Sequence, residues 1–218
     1  MNLKDYVIVS DFDGTITLQD SNSLLVEVLG DERNTSIEQA FISGITGSKE
    51  TFTKHFETLG ITMEEYYNFL KEYIDLDSDF ERFLRKVRKE KIPFYIVSAG
   101  FRQGIEYILM NSQVKKEEIF ANDLIEEGCL IPKFAIENPP CIKAAGACGN
   151  CKRISLQSIR KKTKKKIVFI GDGITDSCAA GEADLLFAKD YLEDYCKKNK
   201  VDYIPFQRFS DVEEYLFG

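Results

Sequence analysis

The chain carries a single histidine, His55, among its 218 residues. That count excludes two-histidine metal centres and phosphohistidine relays. There is no G-x-S-x-G stretch, so the nucleophile elbow of the serine hydrolases has no counterpart. Cys148 to Arg153 is one residue too short for the C-x5-R loop of cysteine phosphatases. No run approaches the ~18 apolar residues that span a bilayer. The short apolar start meets Asp11 and Asp13 too early for a secretory leader, so none is expected. What remains to do chemistry is a set of carboxylates.

Acidic residues outnumber basic ones, 36 to 29, for a formal net charge of −7. With lysine and arginine spread along the chain, neither nucleic acid nor an anionic membrane is expected as a partner. One basic run, Arg160 to Lys166, suits the negative end of a helix dipole. The apolar share of 44% and mixed charges fit a globular protein. The length allows one core plus a small insertion. Six cysteines without a leader point to a cytoplasmic protein whose sulfurs are thiols or ligands before they are disulfides.

Four short apolar runs, at residues 6–10, 93–97, 167–170 and 185–188, predict strands covered on both faces. Helical periodicity lies between them, at residues 80–89, 102–111, 154–161 and 190–198. The alternation predicts an α/β fold, a doubly wound parallel, Rossmann-like sheet. Residues 16–74 break it, with no proline and with apolar pairs at helical spacing: Leu24/Leu25 with Val28/Leu29, Phe52 with Phe56, Tyr66/Tyr67 with Leu70. They predict a small helical cap inserted after the first strand, so that residues 1–15 and 77–218 form the core and 16–76 the cap. Residues 119–133 read as a strand followed by a hairpin.

Asp11-Phe12-Asp13-Gly14-Thr15 stands at the exit of the first strand. Residues two apart in an extended chain project to one side, so both carboxylates face the crevice where open α/β sheets bind ligands. Two anions so close need a cation between them or a proton on one. An EF-hand loop is excluded, because its sixth position is Ile16 and its twelfth Asn22. Ser98-Ala99-Gly100, after the second strand, offers a hydroxyl and free amides to a phosphate. Lys152 opens a helix as a point charge for phosphate oxygens. Asp172, in Gly171-Asp172-Gly173-Ile174-Thr175-Asp176, exits a third strand as a further metal ligand, and Asp176 supports the metal's water or Lys152.

These four motifs, in this order across nearly the full length, resemble the haloacid dehalogenase superfamily in its phosphoserine-phosphatase-like group. The resemblance implies a phosphomonoesterase with Asp11 as nucleophile and Asp13 as general acid and base. It implies Mg²⁺ held by Asp11, the Asp13 carbonyl and Asp172, and phosphate held by Ser98, the Ala99 amide and Lys152. The non-enzymatic alternative is a phospho-accepting receiver-like module. Receivers are shorter, place the phosphorylated aspartate mid-chain and lack a helical lid.

Pro139-Pro140-Cys141, Cys148-Gly149-Asn150-Cys151 and Phe187 to Leu192 resemble a methionine-salvage branch of that family, and less closely its phosphoethanolamine/phosphocholine branch. The implied partner is a small-molecule phosphate ester, a neutral keto-enol phosphate ahead of phosphocholine, phosphoethanolamine or phosphoserine. Asp20 is a candidate substrate residue, with a helix N-cap as its plainer role. Cys141, Cys148 and Cys151 lack a fourth partner for a structural zinc; thiols are the leading expectation, with a metal site or a redox disulfide as the alternatives.

Overall fold

The computed structural model describes residues 2–112, 114–136 and 146–218. Its seven strands form one sheet in the order β4-β3-β2-β1-β5-β6-β7. They are β1 (Tyr6–Ser10), β2 (Phe94–Phe101), β3 (Ile119–Glu126), β4 (Leu130–Lys133), β5 (Lys166–Gly171), β6 (Leu185–Ala188) and β7 (Ile204–Pro205). All neighbours pair in parallel except β3 and β4, the hairpin at one edge. Chain order reverses at β1, which lies between β2 and β5, so the crevice at its carboxyl end is the switch point of the sheet.

Four helices follow β1: α1 (Ser21–Leu29), α2 (Glu32–Ile42), α3 (Ser48–Leu59) and α4 (Met63–Tyr73). These helices, here the cap, lie between β1 and the helix at Phe80–Lys89. The others are α5 (Phe80–Lys89), α6 (Arg102–Ile108), α7 (Lys152–Thr163), α8 (Asp190–Asn199) and α9 (Phe209–Phe217). Alternation along β1 builds two cores. Ile8 packs with Phe80, Phe83 and Val87 of α5 and with Phe209 and Val212 of α9. Val7 and Val9 pack with Leu156 and Ile159 of α7 and Leu192 and Cys196 of α8. A third cluster joins the cap to the sheet: Leu25, Phe52, Phe56, Tyr66 and Leu70 meet Phe101 of β2, Leu124 of β3 and Leu130 of β4.

Local signals end these helices where the chain turns. The Asp20 side chain accepts the Asn22 and Ser23 N–H groups at the start of α1, and Thr62 with Glu65 forms a capping box on α4. Two elements depart from the pattern reading. α6 stops at Ile108, short of the expected 111. β2 runs to Phe101 rather than stopping near 97, with its register against β3 shifting between Val97 and Phe101. Ser98-Ala99-Gly100 is therefore an irregular strand end, not a turn; the irregularity frees backbone there from regular pairing. Among the described residues no helix is long and apolar enough to cross a membrane.

Candidate active site

β1, β2, β5 and the start of α7 deliver their polar residues to one cavity of about 330 Å³ beneath the cap. Asp11, Asp13, Ser98, Ala99, Lys152 and Asp172 all line it. Asp20 also reaches it, from the N-terminus of α1. Asp176 lies fully buried beside them. The residues singled out in the sequence thus meet in one place, although they are up to 165 positions apart by the numbering of Asp11 and Asp176.

Lys152 is the hub. Its ammonium lies 2.6 Å from Asp11 Oδ2 and 2.6 Å from Asp176 Oδ1, and the side chain is almost wholly buried. A lysine at the first position of a helix opposes the dipole, and Cys151 before it adds no side-chain cap. Burial favours the neutral amine, but the charges of Asp11 and Asp176 outweigh it and hold the pKa above the usual lysine range. The second oxygen of Asp176 accepts the Asp172 and Gly173 N–H groups, at 3.1 and 2.8 Å. Asp176 is thereby fully engaged in orienting its neighbours.

Asp11 accepts the Phe12 N–H at 2.6 Å on its other oxygen. Burial, then the Asp176 charge, raise its pKa well above the carboxylate range, against the pull of Lys152. Asp13 is held differently. Ser21 donates its hydroxyl, and its N–H at 3.3 Å, to Oδ1, and the Ser98 hydroxyl donates to Oδ2 at 3.3 Å. Burial still raises its pKa, so proton uptake by Asp13 is favoured within the site. Asp172 accepts the Thr15 hydroxyl; burial and the Asp176 charge lift its pKa to about 7.

Two glycines let these groups approach. Gly14 has φ +76°, and a Cβ there would stand 2.4 Å from Asp172 Oδ2. A Cβ on Gly100 would stand 2.6 Å from Asp13 Oδ2. The Gly100 N–H donates to the Ser98 hydroxyl at 2.8 Å, which aims Ser98 at Asp13.

Asp11, Asp172 and Asp176 bring carboxylate oxygens within 4.8 Å of one another. Such hard oxygen donors, in a site with three buried aspartates and the half-buried Asp172, suit Mg²⁺. All three could turn a carboxylate oxygen to an ion between them.

The pattern reading passed over several residues. Asn150 donates to the Ser98 carbonyl at 2.8 Å and the Phe120 carbonyl at 2.9 Å, and accepts the Ser155 hydroxyl at 3.0 Å. Asn122 donates to the Ala99 carbonyl at 2.7 Å. Together they brace the Ser98 strand end. Asn150 stands inside the Cys148 to Cys151 segment, the one signal that could have flagged it. The cavity's far wall brings in Glu38 and Phe41 of α2 and Tyr191 of α8, none of which has a local motif. Cys129, Cys151 and Cys196 are free thiols. Pro139, Pro140 and Cys141 lie outside the described residues, as does Lys143, a second lysine that could serve the phosphate.

Two aspartates after β1, a lysine at the start of α7 and an aspartate after β5 thus meet at the switch point of the sheet. The family model of haloacid dehalogenase-like hydrolases matches residues 8–181. The chain belongs to the haloacid dehalogenase-like hydrolase family, and its class is phosphatase. It is 30% identical over 206 residues to 2-hydroxy-3-keto-5-methylthiopentenyl-1-phosphate phosphatase of Bacillus mycoides, covering 94% of this chain and 93% of that one. The namesake of Bacillus cereus is also 30% identical, over 96% of this chain and 94% of its own. Among solved structures, a phosphoserine phosphatase holding a phospho-aspartyl intermediate analogue superposes with a TM-score of 0.72 at 20% identity, covering 97% and 98% of the two chains. A substrate-bound phosphoserine phosphatase gives 0.73 at 19%, with the same coverage.

Proposed function

We propose that the protein is a Mg²⁺-dependent phosphomonoesterase that transfers the phosphoryl group of a small metabolite to Asp11 and then to water. The observation that carries this reading is the convergence of Asp11, Asp13, Ser98, Lys152 and Asp172 on one cavity. Residues 1–15 and 77–218 are the catalytic core, and 16–76 the cap that encloses the substrate. Ser98, the Ala99 amide and Lys152 hold the phosphate oxygens. An Asp11 oxygen attacks phosphorus while the ester P–O bond breaks, and Asp13 gives its proton to the departing oxygen. Water then attacks the aspartyl-phosphate, Asp13 takes the water's proton, and Asp11 is restored. The raised pKa of Asp13 supports its serving as acid before it serves as base. Asp11, Asp172 and the Asp13 carbonyl would hold Mg²⁺, which offsets the charge of the phosphate as the anionic nucleophile nears it. Asp176 orients Lys152 and stays outside the reaction.

For the substrate, the relatives' names favour the methionine-salvage keto-enol phosphate, since the matches span 94% and 96% of the chain. A second reading, a phosphate ester with a charged amine, is favoured by the acidic far wall of the cavity. The test of the phosphatase reading is phosphate release from p-nitrophenyl phosphate. The wild type releases phosphate with Mg²⁺, and Asp11→Asn falls by at least about a thousandfold while keeping its circular dichroism spectrum. Retained turnover in Asp11→Asn overturns the mechanism.

A further inference from the structure

Cys148-Gly149-Asn150-Cys151 stands directly before Lys152, and the phosphoryl chemistry uses neither of its thiols. Both cysteines are partly exposed, whereas the two residues between them are buried. The chain bends at Gly149 and Asn150, so the cysteines flank one tight bend. The Cys151 carbonyl accepts the Ser155 N–H at 3.0 Å as α7 begins, and its sulfur makes no cap bond. Among the described residues, only Asp11, Asp172 and Asp176 gather three possible metal-ligand atoms. No third described cysteine, histidine or acid therefore joins Cys148 and Cys151 in a metal site. A C-x-x-C pair so placed is suited to interconvert between dithiol and disulfide.

The residues between and beside the two thiols hold the phosphate end of the cavity. Asn150 donates to the Ser98 and Phe120 carbonyls and accepts the Ser155 hydroxyl, so it fixes the strand end that carries Ser98. Lys152, one residue beyond Cys151, lies 2.6 Å from both Asp11 and Asp176. Gly149 has no slack on its inner side. A Cβ there would stand 2.1 Å from the Phe134 ring, and its carbonyl accepts the Ile136 N–H at 3.0 Å. A disulfide holds its two cysteines within narrow limits of separation and orientation. Any adjustment it imposes on this bend passes to Asn150 and Lys152, and misplacing such groups by about 1 Å can cost roughly a hundredfold in rate.

We propose that Cys148 and Cys151 form a redox-sensitive modification site, which a low-molecular-weight disulfide oxidises to an internal disulfide that displaces Asn150 and Lys152 and lowers turnover. One protein thiolate attacks a sulfur of the small disulfide and expels its other half as a thiolate. The second protein thiolate attacks the mixed disulfide and expels the remaining half. The two cysteine protons end on the two released thiols; the protein pair loses two electrons and the small disulfide gains them. A thiol reductant reverses both steps. The effect on turnover rests on the phosphatase reading, to which it adds a control.

The test treats the full chain with oxidised glutathione, alkylates the remaining thiols and digests with trypsin, which releases residues 144–152 as one peptide. In the wild type that peptide should escape alkylation and be lighter by two hydrogen atoms than its reduced form. The kcat/KM for p-nitrophenyl phosphate with Mg²⁺ should fall by about tenfold or more, and dithiothreitol should restore it. The double variant Cys148→Ser/Cys151→Ser should match the reduced wild type within about twofold and lose that response to the oxidant. The wild-type mass measurement needs no variant and stands even if the double variant folds poorly by thermal denaturation. A peptide that stays fully alkylated, either cysteine paired with another cysteine of the chain, an internal disulfide with unchanged turnover, or an equal fall in the double variant overturns the inference. The mass measurement is independent of turnover. It separates these failures from a failure of the phosphatase reading, which would leave even the reduced protein without phosphate release.

Discussion

Asp20 shows how one side chain can serve two levels of structure. It caps α1 through the Asn22 and Ser23 N–H groups at 2.9 and 3.0 Å, the plainer role its sequence position suggests. It also lines the cavity, where enclosure and then the Asp13 charge raise its pKa to about 6. The residue as a whole is exposed to solvent, so water offsets part of the energetic penalty behind that shift. The sign follows directly. The folded state binds the Asp20 proton more tightly than the unfolded chain, so ionising it costs stability as pH rises from about 4 through about 6. Asp20→Asn keeps the cap, because asparagine caps as well as aspartate. It should therefore raise the thermal midpoint at pH 7.5 by no more than about 4 °C, with the gain disappearing near pH 4. Scanning calorimetry at the two pH values decides it, and a loss of stability at pH 7.5 would refute the charge argument.

Helix α2 and helix α9 are two of the elements that local periodicity does not reveal, for opposite reasons. The α2 sequence, Glu32–Ile42, is polar in its first half and has no clean apolar stripe. It is held instead by its Asp31/Asn34 capping box and by the Asn34 and Glu38 bonds to His55. Those are contacts between helices, and no local window contains both partners. α9 is amphipathic but short, and its partner is α5, more than a hundred residues earlier. Phe209 is fully buried, with its ring centre 5.1 Å from that of Phe80 and 5.0 Å from that of Phe83. Phe209→Ala removes three-way aromatic packing as well as apolar area and should cost about 3–5 kcal/mol in urea denaturation. A cost under 1 kcal/mol would mean that α9 is not integral to the core.

At the scale of the whole molecule, the crevice at the end of β1 concentrates carboxylates around Lys152, an arrangement whose charge a dication would balance. Mg²⁺ at about a hundred times its dissociation constant should stabilise the native protein by about 2.7 kcal/mol. EDTA should remove both that gain and the phosphatase activity, and Asp172→Asn should abolish the Mg²⁺-dependent rise in melting temperature. An unchanged melting curve with and without Mg²⁺ would show that the cluster holds no ion. The sheet, the helical stretch after β1 and the positions of Asp11, Asp13, Ser98, Lys152 and Asp172, which line one cavity, were legible in the sequence. Buried parallel strands read as continuous apolar runs, and each of these polar residues stands at a strand exit or a helix start, where local spacing reveals it. Tertiary structure alone decided what surrounds them. Asn150 and Asn122 brace Ser98 through carbonyls of distant strands, Asp176 is turned inward to Lys152, and Glu38, which lines the cavity, is bonded to His55 of another helix. Such contacts depend on which helices pack together, and that choice is made by buried surface distributed over the whole chain rather than by any short stretch of it.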